Sequence, residues 1–149
     1  MLVACAPSTP NEPASTAGGD TSIETFNEIG GAVDEYNAAT TVYLLPDGYT
    51  YPDAPFTDSS GSYQVGYGTS AAVTFWNCAW GKAYLAAQGT DPVAADAALE
   101  QFAAITETET YKLYYDPASA YPLFESAIAN AQLGDPTTLQ SIVTGSCTS

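Results

Sequence analysis

Three cysteines hold most of the chemistry this chain could perform. Cys5 closes Leu2-Val3-Ala4-Cys5, an apolar residue and two small ones before a cysteine, which is the pattern of a lipobox. In that chemistry the thiol sulfur takes a diacylglyceryl group and the chain is cut in front of it, leaving Cys5 first in the mature protein. Two acyl chains give the double anchoring that stable attachment to a bilayer needs. The basic and apolar regions of a secretory signal do not precede the box within the chain, so this reading expects them upstream of Met1. The plain alternative is an ordinary cysteine near the start of the chain. With Cys5 assigned to lipid, Cys78 and Cys147 remain as an even pair, expected to be bonded in an oxidising compartment. A crosslink closing a loop of about 70 residues stabilises by roughly 4 kcal/mol in the chain-entropy description. Two buried free thiols are the alternative.

Other catalytic devices are scarce. There is no histidine to act as a general base, and the sequence contains no G-x-S-x-G elbow, P-loop or H-E-x-x-H. Gly66-Tyr67-Gly68 lacks the third glycine of a dinucleotide site. Paired carboxylates, as in glycoside hydrolases, are the one arrangement the composition allows. Glu107 with Glu109, or Asp53 with Asp58, are the candidate pairs, and solvated surface charge is the simpler reading of both. Asp47, Asp53 and Asp58 offer oxygens to calcium without EF-hand spacing, and the two distant cysteines lack zinc spacing. No metal, cofactor or enzymatic activity is therefore expected.

Tyrosine is the remaining candidate, with 11 in the chain. Tyr43, Tyr49, Tyr51, Tyr63 and Tyr67 gather around one irregular stretch, and Tyr111, Tyr114, Tyr115 and Tyr121 around another. Exposed tyrosines give rigid, amphipathic contact area at low entropic cost, so Tyr43, Tyr49 and Tyr51 are the candidate binding residues. Packing of the loops onto the helices is the competing use of the same rings.

Charge narrows the partners. The net charge of −15 arises from 17 acidic residues set against Lys82 and Lys112 alone, so it reflects missing cations more than added acid. Such a balance is common among exported proteins of high-GC Gram-positive bacteria. Two lysines cannot supply the phosphate contacts of nucleic-acid binding, nor a basic membrane patch.

These residues must be positioned by helices. Ala6 to Gly19, rich in Ala, Pro, Ser, Thr and Gly, cannot bury a core and reads as a flexible tether. Thr21 or Ser22 caps an expected first helix with Ile23, Phe26, Ile29, Val33 and Tyr36 on one face, weakened mid-way by Gly30-Gly31. Asn37 to Gly61 is full of turn formers around a short extended run, Val42-Tyr43-Leu44-Leu45. A strongly apolar helix follows, from Tyr63 or Thr69 to Ala87, with Ala72, Phe75, Trp76, Ala79 and Ala83 on one face and Trp80 and Tyr84 beside it. A helix apolar over most of its circumference is central in its domain. Asp91-Pro92 opens another, carrying Ala95, Ala98, Leu99 and Phe102, and Pro122 a further one with Phe124, Ala127, Ile128 and Ala131. Gly134 ends the latter, and Asp135-Pro136 starts a last helix bearing Leu139, Ile142 and Val143.

Leu45-Pro46-Asp47-Gly48 with Tyr51-Pro52, and Gly66-Tyr67-Gly68 leading into Trp76-Asn77-Cys78-Ala79-Trp80, resemble a group of small exported actinobacterial lipoproteins of unknown function. That group carries an L-P-x-G-x-x-x-P loop shortly before a W-x-C-A-W helix. The resemblance implies an exported helical domain and a disulfide at Cys78, and no mechanism. The expected architecture is a tether over residues 1–20 and a mainly α domain of four to five helices over residues 21–149. The expected role is an extracytoplasmic, lipid-anchored, non-enzymatic module that binds a protein or cell-wall component. A small carboxylate-dependent hydrolase acting on cell-envelope glycan is the alternative.

Overall fold

The computed structural model describes residues 26–147; Cys5 and the expected tether over residues 1–20 lie outside the described residues. The chain is mainly helical, as the periodicity predicts. Strands β1 (Phe26–Asn27) and β2 (Tyr63–Gln64) pair antiparallel, Phe26 opposite Gln64 and Asn27 opposite Tyr63. The helices are α1 (Ile29–Val42), α2 (Tyr67–Ala87), α3 (Pro92–Ala103), α4 (Glu109–Tyr114), α5 (Ala120–Gln132) and α6 (Thr137–Ser146), with a 3-10 turn over Ala104–Glu107.

Helix α2 is the centre because its side chains are small where other helices cross it. Gly68 meets α1 so closely that an added Cβ would lie 2.0 Å from the Ala32 carbonyl oxygen. At Gly81 a Cβ would lie 2.7 Å from Val143 of α6 and 3.2 Å from the Phe102 ring of α3. Between these points Ala72, Val73, Trp76 and Ala79 are buried. The main core joins Val73 and Trp76 to Leu99, Phe102, Ile105, Phe124, Leu139 and Ile142, each such side chain contributing about 1.5–3 kcal/mol when fully buried. Cys78 and Cys147 are disulfide-bonded, with Cα atoms 5.6 Å apart, so α2 is also tied covalently to the end of α6.

Polar side chains complete the frame at helix ends, where the backbone ladder runs out. Gly66 occupies the N-cap of α2 with φ at 91° and has no side chain to cap with. Glu35 of α1 supplies the missing acceptor: its carboxylate takes the amide N–H groups of Gly66 (3.0 Å) and Gly68 (3.1 Å) and the Asn27 side-chain amide (2.7 Å). A carboxylate at a helix N-terminus also meets the positive end of its dipole. From α2, buried Asn77 donates to the Phe102 carbonyl in the last turn of α3 (2.8 Å), and the Tyr84 hydroxyl donates to the Ala131 carbonyl in the last turn of α5 (3.3 Å).

The predicted boundaries are corrected at three places. The first helix begins at Ile29, and Phe26, assigned above to its buried face, stands in β1 with 63% of its surface exposed. Strand pairing and the Asn27–Glu35 bond hold this entry extended, which moves Gly30-Gly31 into the first helical turn. The same helix continues through Asn37–Val42, where the start of a turn-rich stretch was expected, because Ala39 is buried and the Thr40 and Thr41 hydroxyls fold back onto the Asn37 and Ala38 carbonyls. Tyr63 and Gln64 form β2, so the apolar helix starts at Tyr67. The alternating Thr and Glu residues at 106–110 fall in the 3-10 turn and the start of α4, whose first turn is capped by the Thr108 side chain accepting from the Tyr111 amide.

Gly68→Ala is expected to destabilise the fold by about 1–3 kcal/mol or more, since a methyl group collides with backbone. Gly30→Ala, with nothing within 4 Å of its added Cβ, is expected to be neutral or stabilising by up to about 1 kcal/mol. Denaturant midpoints of the two variants check the contrast.

Candidate functional site

The irregular stretch 43–62 is fastened to the helices by two hydrogen bonds and braced within itself by a third. The Tyr36 hydroxyl donates to the Pro52 carbonyl (2.9 Å), the Tyr51 hydroxyl to the Tyr43 carbonyl (2.7 Å), and the Trp80 indole N–H to the Leu44 carbonyl (3.0 Å). Rings complete the attachment: Tyr43 lies against Trp76, and Tyr51 sits between Tyr36 and Phe75. Phe56 extends this chain of rings from Tyr36 to Tyr63 and Tyr67. Inside the stretch, the Tyr49 amide donates to the Pro46 carbonyl (3.2 Å), and Gly48 takes the positive φ of 85° that the third position of this turn demands. The L-P-x-G sequence is thus a turn that sets Tyr49 in place.

Among the three candidate binding tyrosines the structure draws a division. Tyr43 and Tyr51 are half-buried and spend their rings, and Tyr51 its hydroxyl, on holding the loop. Tyr49 is also half-buried, but its hydroxyl makes no hydrogen bond among the described residues, and its ring walls a pocket of about 210 Å³. One face of α2 forms the floor, with Phe75 and Lys82 among its residues, and the Cys78–Cys147 disulfide lines the same pocket. On its other side Tyr49 borders a shallow open groove with Leu44 and Leu45. Leu44 is 69% exposed, as is Val42 at the end of α1 at 70%, so exposed apolar side chains flank the entry to this loop.

The carboxylate pairs named from sequence are not assembled as pairs. Glu109 turns to Lys112 in an exposed ion pair (3.3 Å). Asp58 accepts from the Ser60 hydroxyl (2.8 Å) and amide (3.0 Å), which hold its carboxyl below its ordinary range and commit it to a local turn. Glu107 instead shares an open groove with Glu125, Tyr111 and Tyr121. Among the described residues no group of three or more acidic or cysteine side chains is placed to hold a metal ion. The second tyrosine group is largely structural: Tyr111 stacks on Tyr121 (4.5 Å between centroids) and meets Tyr115 and Phe124, while the Tyr114 hydroxyl donates to the Val65 carbonyl.

Two residues of consequence escaped the sequence reading. Glu35 carries no motif in the sequence, and only the fold reveals that it closes the N-terminus of α2. Lys82 carried a signal that could have been read, being one of two cations in a chain of net charge −15, four positions beyond Cys78 and so on the same helical face.

Burial raises the hydroxyl pKa of Tyr36, Tyr51, Tyr84, Tyr111 and Tyr115, with smaller contributions from Asp53 near Tyr36 and from Asp135 and Asp96 near Tyr84. A hydroxyl raised above its unfolded value of 10.0 favours the folded state fully below that pH, and the contribution is lost as pH climbs through the folded value. Alkaline unfolding is therefore expected to start above about pH 10, with these five tyrosines ionising together with the loss of near-ultraviolet circular dichroism. Absorbance at tyrosinate wavelengths, recorded alongside dichroism, checks the coincidence.

Compared with protein-family models, with curated proteins and with solved structures, the chain matches none, so its site is interpreted from its own residues.

Proposed function

We propose that the chain is a non-enzymatic binding module of the bacterial cell envelope, held at the extracytoplasmic face by lipid on Cys5, which contacts a protein or cell-wall component through the loop after α1. The observation that carries this reading is the exposed pair Val42, at the end of α1, and Leu44, with half-buried Tyr49 nearby, where the chain enters a loop that hydrogen bonds and rings hold fixed. Apolar side chains gathered on an ordered surface mark contact sites, and a pre-set loop has little ordering entropy to lose on binding. No helix among the described residues is long and apolar enough to cross a membrane. The resemblance to exported actinobacterial lipoproteins agrees with this placement.

A second reading, a carboxylate-dependent hydrolase of envelope glycan, has one observation in its favour: Glu107 and Glu125 line the same groove. Both side chains are exposed.

Two substitutions separate binding from support. Tyr49→Ala combined with Leu44→Ser is expected to abolish capture of the partner from envelope extract while shifting stability by no more than about 0.5–1 kcal/mol. Tyr51→Ala, which removes the hydroxyl on the Tyr43 carbonyl and the ring between Tyr36 and Phe75, is expected to lower stability by about 2–4 kcal/mol. Cys5→Ser in the full precursor is expected to lose palmitate label and membrane association. Glycan turnover by the purified protein, lost in Glu107→Gln or Glu125→Gln, would transfer the function to the hydrolase.

A further inference from the structure

The pocket behind Tyr49 combines features that the binding reading alone does not need. Its α2 floor repeats at positions 71, 74, 75, 78, 79 and 82, a single helical stripe, and apart from Thr74 it is apolar until its last member. That member is Lys82. The sequence holds only one other lysine and no arginine to share the work, and Lys112 is already paired with Glu109. Lys82 is half-buried and makes no ion pair among the described residues, although the chain carries 17 acidic side chains that could have supplied one. An anion near this protein meets repulsion from a net charge of −15, so the rim of this pocket is the place where local attraction can overcome it.

The interior sets the other half of the ligand. Phe75, Ala79 and the disulfide present carbon and sulfur, and Tyr49 offers a ring with a free hydroxyl. A cavity of roughly 150 Å³ holds benzene, so the volume of about 210 Å³ admits one ring or branched aliphatic group with a short linker. We propose that this pocket binds a small monoanion with one apolar group, its carboxylate paired with the Lys82 ammonium and its apolar end seated between Tyr49, Phe75 and the Cys78–Cys147 disulfide. The proposal rests on the reading of the chain as a binding module and names the ligand class of the cavity beside its contact loop.

The test is an NMR titration of the intact, disulfide-bonded protein with 3-phenylpropionate, and with its neutral counterpart 3-phenylpropanamide. Saturable shifts at Tyr49, Phe75 and Lys82 are expected from the carboxylate, with the amide binding about tenfold more weakly or worse, the loss of one charge-assisted bond. Lys82→Gln is expected to bring carboxylate affinity down to that of the amide and to leave amide affinity unchanged, which shows that the variant is folded. Lys112→Gln, a control on net charge, is expected to change neither. Equal affinity for carboxylate and amide, unaltered carboxylate binding in Lys82→Gln, or no saturable shift at these residues would overturn the proposal. So would binding that appears only after residues 148–149 are removed, since Lys82 would then serve the chain's own end, or loss of the site to self-association. Partner capture through Leu44 and Tyr49 is measured in parallel: its survival when the probe fails removes the ligand class alone, and its loss in addition removes the binding reading.

Discussion

Gly68 and Gly81 of α2 lie where α1, α3 and α6 cross it, and at each point a single added carbon would lie within 2.0–2.7 Å of a neighbouring atom. This close approach governs the rest. It brings the Glu35 carboxylate within reach of the bare N-terminus of α2, and it brings Asn77 and Tyr84 to the last turns of α3 and α5. With Gly81 seated against Val143 and Phe102, α6 runs close enough beside α2 for Cys147 to reach Cys78. A larger residue at either glycine would separate helices whose polar fastenings span only about one hydrogen-bond length.

The surface around the loop follows from that frame. Because α2 buries one side among the helices, its outward stripe is free to receive the loop, and Trp76 and Phe75 become the platforms for Tyr43 and Tyr51. The rings and carbonyls that fasten the loop leave the Tyr49 hydroxyl uncommitted among the described residues, with its ring standing between a pocket on α2 and an open groove. The disulfide does two things at once: it joins α2 to α6, and it forms part of the pocket lining.

Much of this was legible in the residues. The near-continuous apolar character of α2 marked the central helix, Asp91-Pro92 marked the start of α3, and Gly134 with Asp135-Pro136 marked the break between α5 and α6. Cysteine number gave the pair that is bonded. The entry to α1 was misplaced because a two-residue strand pairing Phe26 with Gln64 and Asn27 with Tyr63 has no local signature, and the glycine pair read as a weak helix interior stands in the first turn. The tyrosine cluster was located, but residue type alone could not separate rings that fasten a loop from the one that lines a pocket. That distinction depends on which hydroxyls find carbonyls, as Tyr36 and Tyr51 do.

Native-state hydrogen exchange tests the central place of α2 most directly, because a helix crossed by α1, α3 and α6 can open only when the whole fold does. The amides of Val73 to Tyr84 are expected to be the most protected in the protein, exchanging with the full free energy of global unfolding. After reduction of the disulfide, α6 is expected to lose protection before α2. Amides of α2 that exchange faster than those of α3 or α5 in the oxidised protein would contradict the account.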